Sequence, residues 1–446
     1  MHNSKTDNLD QEAPDKVVTI TNDGPFSALK YRNFRLFFIG QLISVIGTWM
    51  QVVAQQWLVY SLTHSAAWLG IVTGAGAIPY VILSLHGGNA ADRYPRRTVL
   101  VITQTVSMLL AFVLALLNTN WITPIQPWHI ALLAALSGVV NAYNMPAQQA
   151  FITDMIEERT ALSSAISLNS FQFNIARFMG PVLAGWTLAH YGPVLCFTIN
   201  GFSFLAVILS LLLMHIPEFL PSGTGMRNIL GGFIYLRSHY RPLRVVLLVA
   251  FASLGAWSVS TLYPVYAYKY AASTILHFSV KKINSESAVI LGKMLAANGI
   301  GAALGGLITA SVVNRMSRRT LFYGAAFAFG LSLLFFAISS HPIYAYIFLA
   351  INGLFMVAFA ISANITVQEE APDSLRGRVM AVYSLVFGGL MPLGGLEIGL
   401  LAHRIGAVKA ILFNVSCFLL SVIVILIWNI TERNQARMPT LPDSVS

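Results

Sequence analysis

Residues 88–97 read Gly88-Asn-Ala-Ala-Asp-Arg-Tyr-Pro-Arg-Arg97, a short basic segment between two long apolar runs. Its second part, Asp92-Arg-Tyr-Pro-Arg-Arg-Thr-Val99, recurs in the other half of the chain as Asn314-Arg-Met-Ser-Arg-Arg-Thr-Leu321. Each copy follows an apolar run that contains a glycine, Gly70 in the first case and Gly292 in the second. A repeat with this long period predicts a duplicated architecture.

Composition identifies the environment of the chain. Charged residues make up 10% of the sequence and hydrophobic residues 56%. A soluble globular protein carries about 25% charged residues, so we expect an all-α integral membrane protein. Runs of about 20 apolar residues can cross the bilayer as helices. Twelve such spans are predicted, at residues 34–62, 67–91, 98–118, 128–150, 161–189, 193–215, 243–268, 286–312, 320–340, 342–369, 378–403 and 407–430.

Lysine and arginine indicate the orientation, because basic residues stay on the cytoplasmic side during insertion. Most of the 27 lysines and arginines fall on one side when both termini are placed in the cytoplasm. The net charge of +10 does not indicate a nucleic-acid partner. The arginines flank apolar segments, where anionic lipid and insertion topology account for them.

A polar interruption separates the sixth and seventh apolar runs. The predicted organisation is a disordered cytoplasmic tail (1–28), a six-helix bundle (29–215), a cytoplasmic linker (216–242), a second six-helix bundle (243–430) and a cytoplasmic tail (431–446). Four further positions repeat at one constant offset, which favours duplication over chance and predicts two pseudo-symmetric bundles. Gly180, Gly185, Gly192 and Asn200 align with Gly394, Gly399, Gly406 and Asn414.

The basic segment resembles the signature loop between the second and third helices of the major facilitator superfamily of transporters. The residues that carry this resemblance are Gly88, Asp92, Arg93, Arg96 and Arg97, with Arg315, Arg318 and Arg319 in the second copy. Pro95 stands where that family usually has a glycine, and Asn314 lacks the carboxylate. The resemblance implies twelve helices in two bundles, a substrate between them, and a monomer. It also implies that Asp92 and its arginines latch the inner face shut.

Polar residues recur at helical spacing in three spans, which places them on one face of each helix. The stripes are Gln41, Ser44, Thr48, Gln51 and Gln55 in the first span; Ser137, Asn141, Asn144 and Gln148 in the fourth; and Ser163, Ser167, Ser170, Asn174 and Arg177 in the fifth. One alternative is a wetted substrate cavity, which the resemblance favours. The other is hydrogen bonding between packed helices.

Two charged residues fall well inside predicted spans. A cation at the centre of a bilayer costs about 2.5–3.5 kcal/mol by insertion scales, so Arg177 either satisfies a structural need or binds an anion in the cavity. Glu397 is the carboxylate placed most firmly within a span. It either carries a proton or reaches interfacial water near the outer end of its helix.

Gly180-Pro181 with Gly185 resembles the motif of facilitator antiporters, although Ala184 and Ala176 replace two of its usual glycines. In that family the motif implies a bent helix that seals the bundle interface in exporters. The alternative is a proline kink with no bearing on transport direction.

Further resemblance is carried by Asn144-Met-Pro-Ala-Gln-Gln-Ala-Phe151, by residues 169–181 and by Leu375-Arg-Gly-Arg-Val-Met380. These segments are similar to the branch with the enterobactin exporter and the macrolide efflux pumps. The branch implies a bacterial inner-membrane exporter of a siderophore or similar small amphiphilic organic molecule, driven by a proton gradient without other cofactors. Alternatives are multidrug or macrolide efflux, uptake by symport, and a membrane enzyme or lipid flippase. The sequence has no metal-ligand spacing, phosphate-binding loop or nucleophile motif, so an enzyme is not expected.

Overall fold

The computed structural model describes residues 26–119, 121, 124–156, 159–215, 229–274, 280–313, 315–372 and 375–437. The predicted tails lie largely outside these residues, as do residues 216–228 of the predicted linker, Asn314 and the side chain of Ser163. The described residues form helices and no β-strand. The α-helices are α1 (Arg32–Thr63), α2 (Ala66–Arg93), α3 (Arg96–Asn118), α4 (Pro127–Asp154), α5 (Arg159–Tyr191), α6 (Pro193–Leu213), α7 (Ile229–Ser238), α8 (Tyr240–Phe251), α9 (Tyr263–Thr274), α10 (Val280–Val312), α11 (Arg318–Ile338), α12 (Pro342–Glu370), α13 (Arg376–Ile405) and α14 (Ala407–Arg437).

Twelve spans follow from these helices, because α8 and α9 belong to one span and α7 is too short to cross a bilayer. Within the described residues, eleven spans are long and apolar enough to cross a membrane by length and composition. The twelfth is α5, which has the length but carries the polar stripe that ends at Arg177. The predicted count of twelve transmembrane helices is therefore consistent with the structure.

The helices extend beyond the predicted apolar runs. The first span begins at Arg32 rather than at residue 34, and the last continues to Arg437. An apolar run marks only the part of a helix that lies in the membrane. Helix ends that extend into water are therefore not predicted from apolar runs. Within the predicted linker, α7 occupies residues 229–238, and α8 begins at Tyr240 rather than at residue 243.

The seventh span is irregular at its centre, which the sequence pattern did not predict. A π-helical turn (Ala252–Ala256) and a 3₁₀ segment (Trp257–Leu262) separate α8 from α9. Gly394 of α13 packs against the Leu254 carbonyl at this point. The Trp257 ring also fits between aromatic side chains, with its centroid 4.7 Å from that of Phe387. Backbone crowding by a neighbouring helix therefore coincides with the break.

Each bundle is built around one close helix crossing that glycines permit. In the first bundle, Gly87 and Gly138 let the backbones of α2 and α4 touch. In the second bundle, Gly301 and Gly353 do the same for α10 and α12. A side chain at any of these four positions would collide with backbone of the facing helix, so the crossing requires glycine.

The two bundles meet through a pair of equivalent crossings. A Cβ atom added at Gly185 of α5 would lie 2.9 Å from the Cα atom of Gly292 in α10. A Cβ atom added at Gly399 of α13 would lie 2.7 Å from the Cα atom of Gly70 in α2. The repeat aligns Gly185 with Gly399 and Gly292 with Gly70, so corresponding residues make the same contact. The predicted pair of pseudo-symmetric bundles is confirmed.

Two aligned glycines also share a turn conformation. Gly192 joins α5 to α6 with φ +79°, and Gly406 joins α13 to α14 with φ +89°. Both values lie in the left-handed region, which favours glycine. Each bundle therefore turns in the same way between its fifth and sixth helices. This shared turn explains why the two glycines align in the repeat.

Candidate functional site

The molecule has two chemically different ends. The basic end carries the loops between α2 and α3 and between α10 and α11, with Arg93, Arg96, Arg97, Arg318 and Arg319. The opposite end carries the turns between α1 and α2, between α5 and α6, and between α13 and α14. A path through the protein would run between these ends along the seam of the bundles.

At the opposite end, polar side chains join the bundles. The Trp57 indole nitrogen donates to the Ser287 hydroxyl at 3.1 Å, and the Ser285 hydroxyl donates to the Ala189 carbonyl at 3.0 Å. The rings of Tyr60 and Tyr268 lie 5.1 Å apart across the same seam. Together with the glycine crossings, these contacts close the opposite end.

At the basic end, each loop is tied to its own bundle. Arg96 forms an ion pair with Asp154 at the end of α4, and Arg318 pairs with Glu369 at the end of α12. Arg97 donates to the Leu212 carbonyl of α6. The two ion pairs are equivalent in the two bundles, because Arg96 and Arg318 align in the repeat.

The predicted latch is not formed in this conformation. Between described residues, no hydrogen bond or ion pair joins the two bundles at the basic end, and Asp92 forms no ion pair. In the described part of the chain, the hydrogen bonds between the bundles lie at the middle and at the opposite end. A latch between the bundles requires a conformation in which the basic end is closed, and its role stays a prediction.

A double-mutant cycle should distinguish the two ion pairs. The Arg96 and Asp154 side chains are 16% and 26% exposed, so replacing Arg96 with methionine and Asp154 with asparagine should reveal a coupling of about 1–2 kcal/mol. The Arg318 and Glu369 side chains are 47% and 50% exposed, and the same cycle there should give about 0–1 kcal/mol. Unfolding in mixed micelles measures both values. Equal couplings would contradict the expectation that lower exposure makes the Arg96–Asp154 pair the stronger of the two.

Part of the polar stripe on α1 faces α6. The Asn200 amide donates to the Gln51 side-chain oxygen at 2.7 Å, and both Gln41 and Ser44 are buried. On α4, the Asn144 side-chain oxygen accepts from Thr103 at 3.0 Å and from Gln104 at 3.2 Å. For Gln51 and Asn144, these hydrogen bonds join helices inside the first bundle, and both side chains are only partly buried, so their position in the cavity stays a prediction.

Five other members of the stripes form no hydrogen bond with another helix in the described part of the chain. Thr48 and Asn141 are exposed, and Gln55 and Gln148 are partly exposed. Asn174 is exposed as well and donates only to the Ser170 carbonyl of its own helix. These five side chains keep hydrogen-bonding capacity for a ligand or water, so they remain predicted cavity residues.

Arg177 reaches from the first bundle into the second. One guanidinium nitrogen lies 3.4 Å from the Asn298 side-chain oxygen of α10 and 3.5 Å from the Met356 sulfur of α12. The guanidinium carbon lies 6.0 Å from the centre of the Trp49 ring of α1. Tyr263 of α9 is close enough to interact with it electrostatically. Arg177 is therefore a meeting point of both bundles.

No carboxylate pairs with Arg177 among the described residues. A guanidinium group has five N–H donors, and both contacts of this one are long and made by a single nitrogen. The remaining donors lie at the seam between the bundles. The geometry therefore allows an anionic group to bind Arg177 in the gap.

Behind Arg177, a chain of amides crosses the second bundle. The Asn298 amide donates to the Asn352 side-chain oxygen at 3.0 Å, and the Asn352 amide donates to the Ser332 hydroxyl at 3.2 Å. Sequence reasoning missed Asn298 and Asn352. Both lie within predicted spans, where an amide side chain needs a hydrogen-bond partner. A single asparagine in an apolar run could therefore have indicated this contact between helices.

The antiporter-like motif brings α5 against two helices. Gly180 packs on the Trp49 side chain and the Ile46 carbonyl of α1, and Gly185 packs on Gly292 of α10. Pro181 is buried within the same continuous helix. The motif therefore sits at the bundle interface, beside Arg177.

Glu397 lies apart from Arg177. Its carboxylate accepts a hydrogen bond of 2.6 Å from the Asn414 amide, which joins α13 to α14. The side chain is exposed, as are Leu393 and Leu400 on the same face of α13. The structure does not bring this predicted coupling residue together with the polar stripes.

Replacing Glu397 with glutamine is expected to leave transport and its dependence on a proton gradient unchanged. Glutamine keeps an acceptor for Asn414, and the side chain lies on the exposed face of α13 with Leu393 and Leu400. Cargo uptake into inside-out vesicles measures this. Loss of gradient dependence in this variant would instead assign the proton to Glu397.

Three bacterial proteins that are similar to this chain are transporters by name. They are the staphyloferrin A transporter of Staphylococcus aureus, 26% identical over 84% of this chain and 91% of that protein; the multidrug efflux pump Tap of Mycolicibacterium fortuitum, 27% identical over 91% and 98%; and the Na(+), Li(+), K(+)/H(+) antiporter of Planococcus maritimus, 29% identical over 68% and 74%.

The solved structure of the nucleoside transporter NupG matches with a TM-score of 0.67 and covers 89% of this chain and 98% of that one. Its sequence identity of 16% shows the fold alone. A family model described as transmembrane secretion effector matches residues 23–442, nearly the whole chain. The chain therefore belongs to the transmembrane secretion effector family of major facilitator transporters, and it is a secondary transporter rather than an enzyme.

Proposed function

We propose that this protein exports a siderophore, or a comparable small amphiphilic molecule with an anionic group, across the bacterial inner membrane in exchange for protons. The observation that carries this proposal is Arg177, a cation at the seam of the bundles that has no acidic partner among the described residues. The functional unit is a monomer, because one chain supplies both sides of the seam.

The surroundings of Arg177 suit an amphiphilic cargo. Trp49 and Met356 offer apolar and polarisable surface, whereas Asn298 offers an amide. A cation desolvated between helices gains most from an anionic ligand that replaces the water it lost. A molecule with an apolar body and a carboxylate or similar group would use both kinds of contact.

The closed end indicates from which side cargo would reach the seam in this conformation. Contacts close the opposite end, so cargo would enter from the basic end, which is cytoplasmic if basic loops stay inside. Binding would then favour closure at the basic end and opening at the other, with Asp92 and its arginines forming the latch. The similarity to the staphyloferrin A transporter and to the Na(+), Li(+), K(+)/H(+) antiporter fits exchange of a siderophore for protons, and the sequence has no ATP-binding loop.

Secretion of a chelator tests this proposal. A deletion strain under iron limitation should lose ferric-chelating activity from its medium, and the wild-type gene should restore it. Inside-out vesicles should accumulate the recovered chelator only with a proton gradient, and Asp92→Asn should reduce that uptake. Uptake that ignores both the gradient and Asp92→Asn would reject the mechanism.

Multidrug efflux is the second candidate function, favoured by the similarity to the efflux pump Tap and by the aromatic surface at Trp49. It predicts altered drug susceptibility in the deletion strain with unchanged chelator secretion. Failure to use a supplied ferric chelate would instead indicate uptake. The same strains therefore separate siderophore export, multidrug efflux and uptake of a ferric chelate.

A further inference from the structure

A cavity of about 430 Å³ lies between α11 and α14 near the basic end, on the second bundle. It is separate from the seam at Arg177, because neither helix contributes a contact to that site. The walls combine polar groups with apolar ones. The lining residues are Ser317, Arg319, Thr320, Tyr323, Gly324, Leu426, Asn429 and Ile430.

The polar wall has the groups that bind phosphate. Ser317 caps the N-terminus of α11, and the Asn429 amide donates to the Tyr323 hydroxyl at 3.4 Å. Arg319 and the buried Arg244 both lie within electrostatic range of that hydroxyl. Hydroxyl, amide and guanidinium groups at the start of a helix form favourable surroundings for a phosphate. None of the eight lining residues is acidic.

Arg244 is held rigidly behind this wall. Its guanidinium carbon lies 4.2 Å from the centre of the Trp428 ring, and one of its nitrogens donates to the Asn429 side-chain oxygen at 3.2 Å. That contact orients the Asn429 side chain, which lines the cavity. The cation behind the wall thus contributes positive potential without itself lining the cavity.

The apolar wall points to a lipid rather than to a free anion. Leu426 and Ile430 are exposed near the end of the last apolar span, which reaches Thr431. The same surface continues along α11 and α14 as exposed large apolar side chains, which only acyl chains would cover in a membrane. They are Phe327, Leu331, Leu420, Ile423, Val424 and Ile427.

Gly324 leaves the centre of the cavity open. A Cβ atom added there would meet nothing within 4 Å. A leucine at this position would therefore occupy the cavity without colliding with the protein. This gives a way to fill the cavity that leaves its charged wall in place.

We propose that this cavity binds the phosphate headgroup of an anionic phospholipid, with the acyl chains along the apolar faces of α11 and α14. Arg319, Thr320 and Tyr323 contact the phosphate oxygens. Leu426 and Ile430 contact the first carbons of the chains. The site is independent of the cargo and of the transport direction proposed above.

Native mass spectrometry of the purified full-length protein with phosphatidylglycerol tests the proposal. Gly324→Leu and Arg319→Gln should each weaken retention of this lipid by about tenfold, the effect of losing one charge-assisted contact or the space for the headgroup. Arg315→Gln is the matched control, because Arg315 lies in the same loop but does not line the cavity. Its retention should equal that of the wild type.

Several results would overturn the proposal. Equal retention by the wild type, Gly324→Leu and Arg319→Gln would show that phosphatidylglycerol binds elsewhere. Equal retention of phosphatidylethanolamine would remove the preference for an anionic headgroup. Displacement by millimolar inorganic phosphate would indicate a site for a free anion. Should Gly324→Leu fail to elute as a monodisperse peak, Arg319→Gln alone decides, since it removes a charge without adding side-chain volume.

Discussion

Replacing Arg177 with glutamine is expected to lower the apparent affinity for the cargo by about 10²–10³-fold, because losing one partner of a desolvated charge pair costs about 2–5 kcal/mol. Glutamine can still approach Asn298 and Met356, but it cannot pair with an anion. The folded protein should be at least as stable as the wild type, since a cation buried among helices is itself costly.

Arg177→Lys is the matched control. Lysine keeps the charge but loses the planar arrangement of donors that holds a carboxylate with two hydrogen bonds, so we expect an intermediate affinity. Concentration-dependent uptake of the recovered chelator into inside-out vesicles measures all three proteins. If Arg177→Gln transports like the wild type, Arg177 has only a structural role and the cargo need not be anionic.

Replacing Gly292 with leucine is expected to open the opposite end and to stop transport. A Cβ atom at Gly292 would lie 2.8 Å from the Gly185 Cα atom and 3.1 Å from the Pro181 carbonyl oxygen. Both are backbone atoms, which cannot rotate away as a side chain can. Overpacking typically costs about 1–3 kcal/mol, and only the conformation closed at this end bears that cost. The closed population should fall by about 10–100-fold.

Labelling with a membrane-impermeant maleimide measures this shift. Ser287→Cys introduces a thiol that is buried when the opposite end is closed, and Cys417→Ser removes the exposed native thiol. The thiol should react from outside in the Gly292→Leu variant and remain protected in its parent. Gly388→Leu is the control, because a Cβ atom there meets nothing within 4 Å. Protection that survives in Gly292→Leu would show that this crossing does not control access.

Local sequence was sufficient for the architecture. Apolar runs report the bilayer directly, because every backbone polar group inside it must be satisfied within the helix. The repeat also carried spatial information that single spans lack. Gly185 and Gly399 align in the sequence, and the structure places them in equivalent crossings with Gly292 and Gly70. Glycines at such crossings are needed for backbone contact, so duplication preserved them.

The partners of polar side chains could not be predicted in the same way. The helical spacing of Gln41 to Gln55 places them on one face of α1, but it does not say which helix or gap that face meets. Gln51 turned out to bond Asn200 of α6, and Asn144 to bond Thr103 of α3. A hydrogen bond of this kind depends on how whole helices are rotated and packed.

The amino-acid sequence by itself determined that this chain crosses the membrane twelve times in two related bundles and that a cation, Arg177, lies within the fifth span. Only the tertiary structure decided that Arg177 reaches Asn298 and Met356 of the other bundle, that Glu397 lies apart from it, and that the seventh span breaks at Ala252–Leu262. The reason is that burial and helix formation follow local hydrophobicity, whereas contacts between bundles depend on the shapes of surfaces distant in the chain.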